Sequence, residues 1–497
     1  MKHHLEILLL ALALSGCGHA PARVEKAQPA QLPQVLRDSP YMAECDRRMG
    51  SQAEAEGEER WIAPRLRARA TSKEGGFETL KHETLCERLV TGEFSSIILE
   101  GRGGLGKTKL LQAIAAATCS RFPTFALDAN IDLPREGDSQ AIRAAMEERL
   151  ASKAGVPVAT FREAMQQGFI LLLDAVDEVP LEQRDLVLRA VSDLLDSYAG
   201  KVRLVAFMRP PVYRQTAQML SAQAMVEIEQ LDCEMTENRV KFLTKDEASR
   251  AAFWDYAHKS GLDRKAQGKG CRYVHLATFR DVETAVAVAQ EAGFRDPEDV
   301  AGRGRAVLFE RLVRIHFTHA LRLASQNAPD PLQFSDALVD AVGVGPGTRG
   351  ILFTKADCMK AAKDLGDRAE AVCDALFISP LFRKVEGVDQ FALRNQSVGD
   401  LFLARFVDRK VREDGRPACG RLSGLSGLFE STEVVSFLVG LPGGFACVVD
   451  LVQAMCRQGT WPVQTRQMLD QGLSDSGRKR LVEAVQQLPD EPVARCM

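Results

Sequence analysis

Eight consecutive residues carry the chemistry of phosphate binding: Gly101, Arg102, Gly103, Gly104, Leu105, Gly106, Lys107 and Thr108. They satisfy G-x-x-x-x-G-K-[ST] at every fixed position, a pattern whose glycines let backbone N–H groups curl around phosphate oxygens. In it Lys107 neutralises the β and γ phosphates of a nucleoside triphosphate, and Thr108 offers its hydroxyl to Mg²⁺. An acidic run, Asp174-Ala175-Val176-Asp177-Glu178, follows the apolar segment 169–173 (FILLL). An apolar strand ending in Asp puts a carboxylate beside the phosphate loop, where Asp174 would hold Mg²⁺ through water. Asp177 or Glu178, three and four residues on, would orient or activate the attacking water. A further apolar run, 202–207 (VRLVAF), leads through Met208 to Arg209. A cation there can sense the γ phosphate or stabilise transition-state charge.

These groups need elements to hold them in one place. Residues 94–99 (FSSIIL) form a short β-branched run, as expected for a buried strand. The Ala/Leu-rich stretch 107–119 predicts a helix whose N-terminus favours anions. Ile142, Met146 and Leu150 recur at a spacing of four within a helix predicted over 139–153, and a second is predicted over 183–198. Strands alternating with helices give an α/β P-loop NTPase core, a parallel sheet with flanking helices. Beyond about 230 the pattern turns mostly helical, with 306–324 the strongest stretch. His316 and His319 sit three apart there with no evident third ligand, and read as core or helix surface. Thr354-Lys355-Ala356-Asp357 mimics a guanine-reading motif, but so far beyond the P-loop that it reads as coincidence, which leaves ATP as the expected nucleotide.

Together, 101–111 (GRGGLGKTKLL), 171–178 (LLLDAVDE) and Arg209-Pro210 resemble the NACHT group of STAND NTPases. Small Ala175 after the first acid, with Asp177 two positions further, is a specific mark of that group. Trp61 to Leu66 looks like its lead-in segment. Gln230-Leu231 with 236–243 resembles its first helix after the core sheet, and 397–404 (SVGDLFLA) its winged-helix signature. Two positions depart: Met208 replaces the usual small hydroxyl residue, and Asn395 stands where the family often has a His near the ADP phosphate. The resemblance implies a NACHT P-loop NTPase core at 59–230, a helical domain at 231–300, a winged-helix-like domain at 301–410 and a helical C-terminal region at 411–497. It also implies a switch. ADP holds a closed monomer, ATP and a stimulus favour an open homo-oligomer, and slow hydrolysis resets it. The expected function is thus an ATP-binding, slowly hydrolysing signal-transduction switch in defence or regulation. The alternative is a non-hydrolysing scaffold that keeps nucleotide for structure. No 20–45-residue repeat follows the winged helix, so a bare switch is expected.

With 497 residues, 45% hydrophobic and 26% charged, the composition is that of a globular protein of two to four domains. A net charge of −3 gives no reason to expect a nucleic-acid partner, so nucleotide and an unknown protein are the expected ones. The 12 cysteines include no C-x-x-C pair, which argues against a zinc cage. Cys119, Cys373 and Cys447 lie in apolar helical stretches and read as buried free thiols, suited to a reducing compartment. The N-terminus says otherwise. Residues 1–17 have a positive start at Lys2, a short apolar run and then Leu14-Ser15-Gly16-Cys17, the layout of a secretory signal. It resembles a bacterial lipoprotein signal peptide, with Cys17 lipidated and 18–58 a flexible tether to the membrane of the cell envelope. The alternative is a cytoplasmic protein, which could begin as late as Met42 or Met49. Exported compartments hold little ATP, so the two ends of the chain make opposite demands.

Overall fold

The computed structural model describes residues 32–457 except 58–61, 71–76, 130–131, 135–136, 180, 199, 210–218, 267–269, 296, 298–299, 301–303, 325–327, 344–350, 386–387 and 415–431, together with Lys479 and Glu483. One helical turn at Gln34–Arg37 leads into α1 (Pro40–Gly57). Then come β1 (Leu66–Ala70), β2 (Glu78–Leu80), α2 (His82–Thr91), β3 (Ser96–Glu100), α3 (Lys107–Thr118) and β4 (Thr124–Asp128). Helices α4 (Ser139–Ala154) and α5 (Val158–Ala164) precede β5 (Phe169–Asp174). Helix α6 (Leu181–Ser197), β6 (Val202–Met208) and β7 (Ala224–Ile228) complete the core.

The strands form one sheet in the order β2-β1-β7-β3-β6-β5-β4. Strand β3 pairs in parallel with β6 and β7, and β5 in parallel with β4 and β6. Strands β1 and β2 add an antiparallel edge. Only β6 separates the phosphate-loop strand from the acidic strand, so the C-terminal ends of β3, β6 and β5 lie side by side. Both faces of this sheet are covered, which is why its strands read as continuous apolar runs. Ile97 and Leu99 pack under α2 and α3 with Leu85 and Ile114. Ile98, Leu171 and Leu173 face the other way, into a core shared with α4, α5 and α6.

Beyond the sheet lie α7 (Cys233–Leu243), α8 (Glu247–Ser260), α9 (Phe279–Glu291) and α10 (Ala306–Leu321). Next come α11 (Pro331–Val342), β8 (Leu352–Phe353), α12 (Lys355–Ala361), α13 (Ala369–Ile378), β9 (Phe382–Lys384) and β10 (Phe391–Leu393). The three short strands pair antiparallel as β8-β10-β9, giving the helix–strand–helix–helix–hairpin order of a winged helix. Helices α14 (Gln396–Asp414), α15 (Thr432–Val439) and α16 (Pro442–Arg457) follow. A single apolar cluster runs from Leu231 to Val452, so the segments 231–300, 301–410 and 411–457 share one core. The Thr354-Lys355-Ala356-Asp357 run is a helix cap. Asp357 N–H donates to Thr354 Oγ1 at 3.1 Å, and Thr354 N–H donates to Asp357 Oδ2 at 2.8 Å, the reciprocal pair that starts α12.

Two expectations need correction. The tether reading fails from residue 34 onward, because Leu36, Tyr41 and Cys45 are buried in the sheet core. The Tyr41 hydroxyl donates to the Cys119 carbonyl at 3.1 Å and accepts from the Thr124 N–H at 2.8 Å. A chain begun at Met49 would lose this anchor. The free-thiol reading fails as well. Disulfides join Cys45 to Cys119, Cys233 to Cys271 and Cys358 to Cys373, and Cys447 is also disulfide-bonded. Apolar helical surroundings suit a buried cystine as well as a thiol, so local sequence could not separate the two. Cys86 is free and buried. Cys17 and the signal segment 1–17 lie outside the described residues.

Candidate nucleotide site

Strand β3 delivers the chain to Gly101, whose N–H donates to the Met208 carbonyl at 3.1 Å and ties the loop's start to the end of β6. Gly104 and Gly106 have φ of +81° and +83°, which L side chains rarely adopt, so the glycines are needed for the turn itself. Gly104 also meets a close neighbour. A Cβ there would lie 2.5 Å from Arg280 Cβ, and the Arg280 N–H donates to the Gly104 carbonyl at 3.3 Å. The N-terminus of α9 therefore rests on the loop. Gly106 ends the loop as the N-cap of α3, and Lys107 and Thr108 begin that helix.

Lys107 Nζ donates to the carbonyls of Gly101 and Arg102 at 2.7 and 3.2 Å, so the ammonium is held inside the curve of the loop. Thr108 Oγ1 donates to Asp174 Oδ2 at 3.0 Å. The hydroxyl and carboxylate expected to share a magnesium ion are thus already adjacent, from a helix start and a strand end. They are hard oxygen donors of the kind Mg²⁺ takes, alongside waters and phosphate. Burial raises the Asp174 carboxyl above its usual range, while the Lys107 charge and the Thr108 hydroxyl pull it back. The chain then turns sharply: Ala175 has a φ of +58°, a left-handed conformation that costs a residue bearing a Cβ about 1–2 kcal/mol. The turn carries Asp177 back toward β6, 6% exposed. Glu178 closes the same turn, and its side chain lies outside the described residues.

Arg209, at the end of β6, is 8% exposed. Its Nε lies 3.2 Å from Asp177 Oδ2, and its Nη1 donates to Asp400 Oδ2 at 2.7 Å. Asp400 belongs to α14, the helix that follows the β9–β10 hairpin in the chain. The start of the same helix also reaches the loop: a Cβ on Gly103 would meet Ser397 Oγ at 3.3 Å, Arg209 Cζ at 3.6 Å and Glu433 Cγ at 3.7 Å. Asn395 caps α14, its Oδ1 accepting from the Ser397 N–H at 3.1 Å. A buried ionic chain closes the far side. Arg305 pairs with Asp281 at 2.6 Å and with Glu433, and Glu433 Oε1 lies 3.4 Å from Arg102 Nε.

All the loop residues, Thr108, Asp174, Asp177 and Arg209 therefore converge at the C-terminal edge of the sheet. Sequence reasoning does not reach Thr278, Arg280, Asp281, Arg305 and Glu433 as site residues, and it takes in Ser397 and Asp400 only as part of a helix signature. The one local signal was Thr278 with Asp281, which marks the start of α9 through a 3.1 Å cap bond.

No family model matches this chain, and no curated protein does. Solved structures are similar only loosely. Cdc6p from Pyrobaculum aerophilum is 13% identical, with 67% of this chain and 93% of that one covered and a TM-score of 0.27. AMPPCP-bound DnaA from Aquifex aeolicus is 14% identical, with 70% and 92% covered and a TM-score of 0.28. A katanin structure concerned with self-assembly is 16% identical, with 41% and 78% covered and a TM-score of 0.24. Overlaps this loose add nothing to the strand order and loop geometry, which by themselves give the chain a P-loop NTPase core followed by helical and winged-helix parts.

Proposed function

We propose that this chain is a nucleotide-dependent signalling switch of the NACHT/STAND type, which binds ATP or ADP with Mg²⁺ and hydrolyses ATP slowly. The single observation that carries the reading is Arg209. The same guanidinium touches Asp177, the candidate for orienting water, and Asp400, on the helix that follows the winged helix. A phosphate that recruits Arg209 weakens its bond to Asp400. Nucleotide state is then coupled to whether the C-terminal elements stay seated, which gives the differential affinity a ligand needs to shift two states. Lys107 and the loop amides would hold the β phosphate side, and Thr108 with Asp174 the metal.

Turnover separates this reading from the scaffold alternative. Phosphate release by the wild-type chain with Mg·ATP should exceed that of the Asp177→Ala/Glu178→Ala double variant by at least about tenfold, the scale of a lost water-orienting group. Equal release would favour the scaffold.

We further propose that the chain is exported and membrane-anchored through Cys17. The disulfides support this, since they persist in oxidising compartments and are rare in the cytosol. No single helix among the described residues is long and apolar enough to cross a membrane.

A further inference from the structure

Glu433 is a buried carboxylate, 0% exposed, at the start of α15. It lies against the phosphate loop among three arginines. Burial alone would raise its pKa, but Arg305, Arg102 and Arg209 together hold it down to about 2, so it is an anion at any working pH. Its Oε2 is bonded to Arg305, whereas its buried Oε1 has no hydrogen-bond partner, Arg102 Nε lying 3.4 Å away. Glu433 Cγ comes within 3.7 Å of the Cβ position of Gly103, and Arg209 Cζ within 3.6 Å of the same point.

These positions fix which end of the loop the carboxylate covers. Lys107 reaches both the β and γ phosphates and Thr108 the metal, so neither tells the two ends apart. Arg209 and Asp177 mark the side toward which a third phosphate extends. Glu433 sits with Arg209 beside Gly103, so on the nucleotide-site reading its negative charge lies on the side where Arg209 would meet a terminal phosphate. A diphosphate ends before that point, and a triphosphate brings further negative charge into it without water to screen the repulsion.

We propose that Glu433 is a specificity-determining residue that makes the closed form of the site favour a nucleoside diphosphate over a triphosphate. This rests on the nucleotide-site reading above. The carboxylate stands in for the terminal phosphate in neutralising Arg102 and Arg209, and a triphosphate gains full purchase only when α15 withdraws it.

The test is the ratio of Kd for Mg·ATP to Kd for Mg·ADP, measured by calorimetry on the full chain. In Glu433→Gln, which keeps the shape and removes the charge, the ratio should fall about tenfold or more against wild type, chiefly through tighter Mg·ATP. Glu433→Asp keeps a charge opposite Arg305 and withdraws it by one methylene. It should move the ratio the same way by a smaller factor, and it serves if the Gln variant loses its thermal transition. A wild-type chain that binds both nucleotides, with a ratio unchanged in the folded variants, overturns the proposal and leaves the site reading intact. Failure of wild type and variants to bind either nucleotide overturns both.

Discussion

Glu100 ends β3 directly before the phosphate loop and is 9% exposed. Burial, reinforced by Glu227 across the β3–β7 pairing, pushes its carboxyl up to about 7. The folded chain therefore keeps this proton where the unfolded chain, with an ordinary carboxyl near 4.5, has released it. The stability this group allows is full below the unfolded value and falls as pH rises from about 4.5 through about 7. Glu100→Gln should therefore gain about 2–3 kcal/mol over wild type at pH 8 and little at pH 4.5. Denaturant midpoints at the two pH values check this, and an equal gap at both would contradict it. Arg203 shows the same limit on reading single residues. It interrupts the buried β6, yet its Nη1 donates to the Leu89 and Val90 carbonyls at 2.6 Å each and its guanidinium lies 4.0 Å from the centre of the Phe122 ring. No pattern in VRLVAF announces those partners. Lys107, Thr108 and Asp174 were legible because a fixed loop spacing and a strand end place them regardless of context. Glu433 was not, since its bond to Arg305 spans 128 residues.

At the scale of elements, long periodic helices were read nearly to the residue: α4 was expected at 139–153 and runs Ser139–Ala154. Buried strands β3, β5 and β6 were legible for the same reason, as apolar runs too short for helices. Strands β8, β9 and β10 have two or three residues each, and no periodicity survives at that length. Helix α1 was obscured by its low apolar content, because its attachment depends on Tyr41 and a disulfide to the end of α3 and not on a broad apolar face. That disulfide, closing a sequence separation of 74 residues, contributes on the order of 4 kcal/mol by restricting the unfolded chain. Peptide mapping without reductant, on protein recovered from its own cells, should find Cys45–Cys119, Cys233–Cys271 and Cys358–Cys373 linked and Cys17 carrying a diacylglyceryl group. The same cysteines as thiols, in a chain retaining an unmodified N-terminal segment, would withdraw the export proposal.

For the whole molecule, the sheet provides the phosphate loop and the Thr108–Asp174 pair, and the C-terminal half closes over them. Asp400, Ser397 and Glu433 reach the loop from α14 and α15, which share one apolar core with α7 through α13. Movement of that core relative to the sheet would uncover the loop as a unit. With Glu433 and Asp400 in place, Arg102, Arg209 and Arg305 each face a carboxylate in the structure. Lys107, Thr108 and Asp174 are placed to form one nucleotide and metal pocket. Its most direct test is an equilibrium titration of ATP, with and without Mg²⁺, into the wild-type chain and into Asp174→Asn. Binding should be tightened by Mg²⁺ in the wild type, and the Mg²⁺-dependent gain should fall at least about tenfold in the variant, as expected for a lost charged ligand. A wild-type chain that binds no ATP, or a variant that responds to Mg²⁺ as the wild type does, would contradict it.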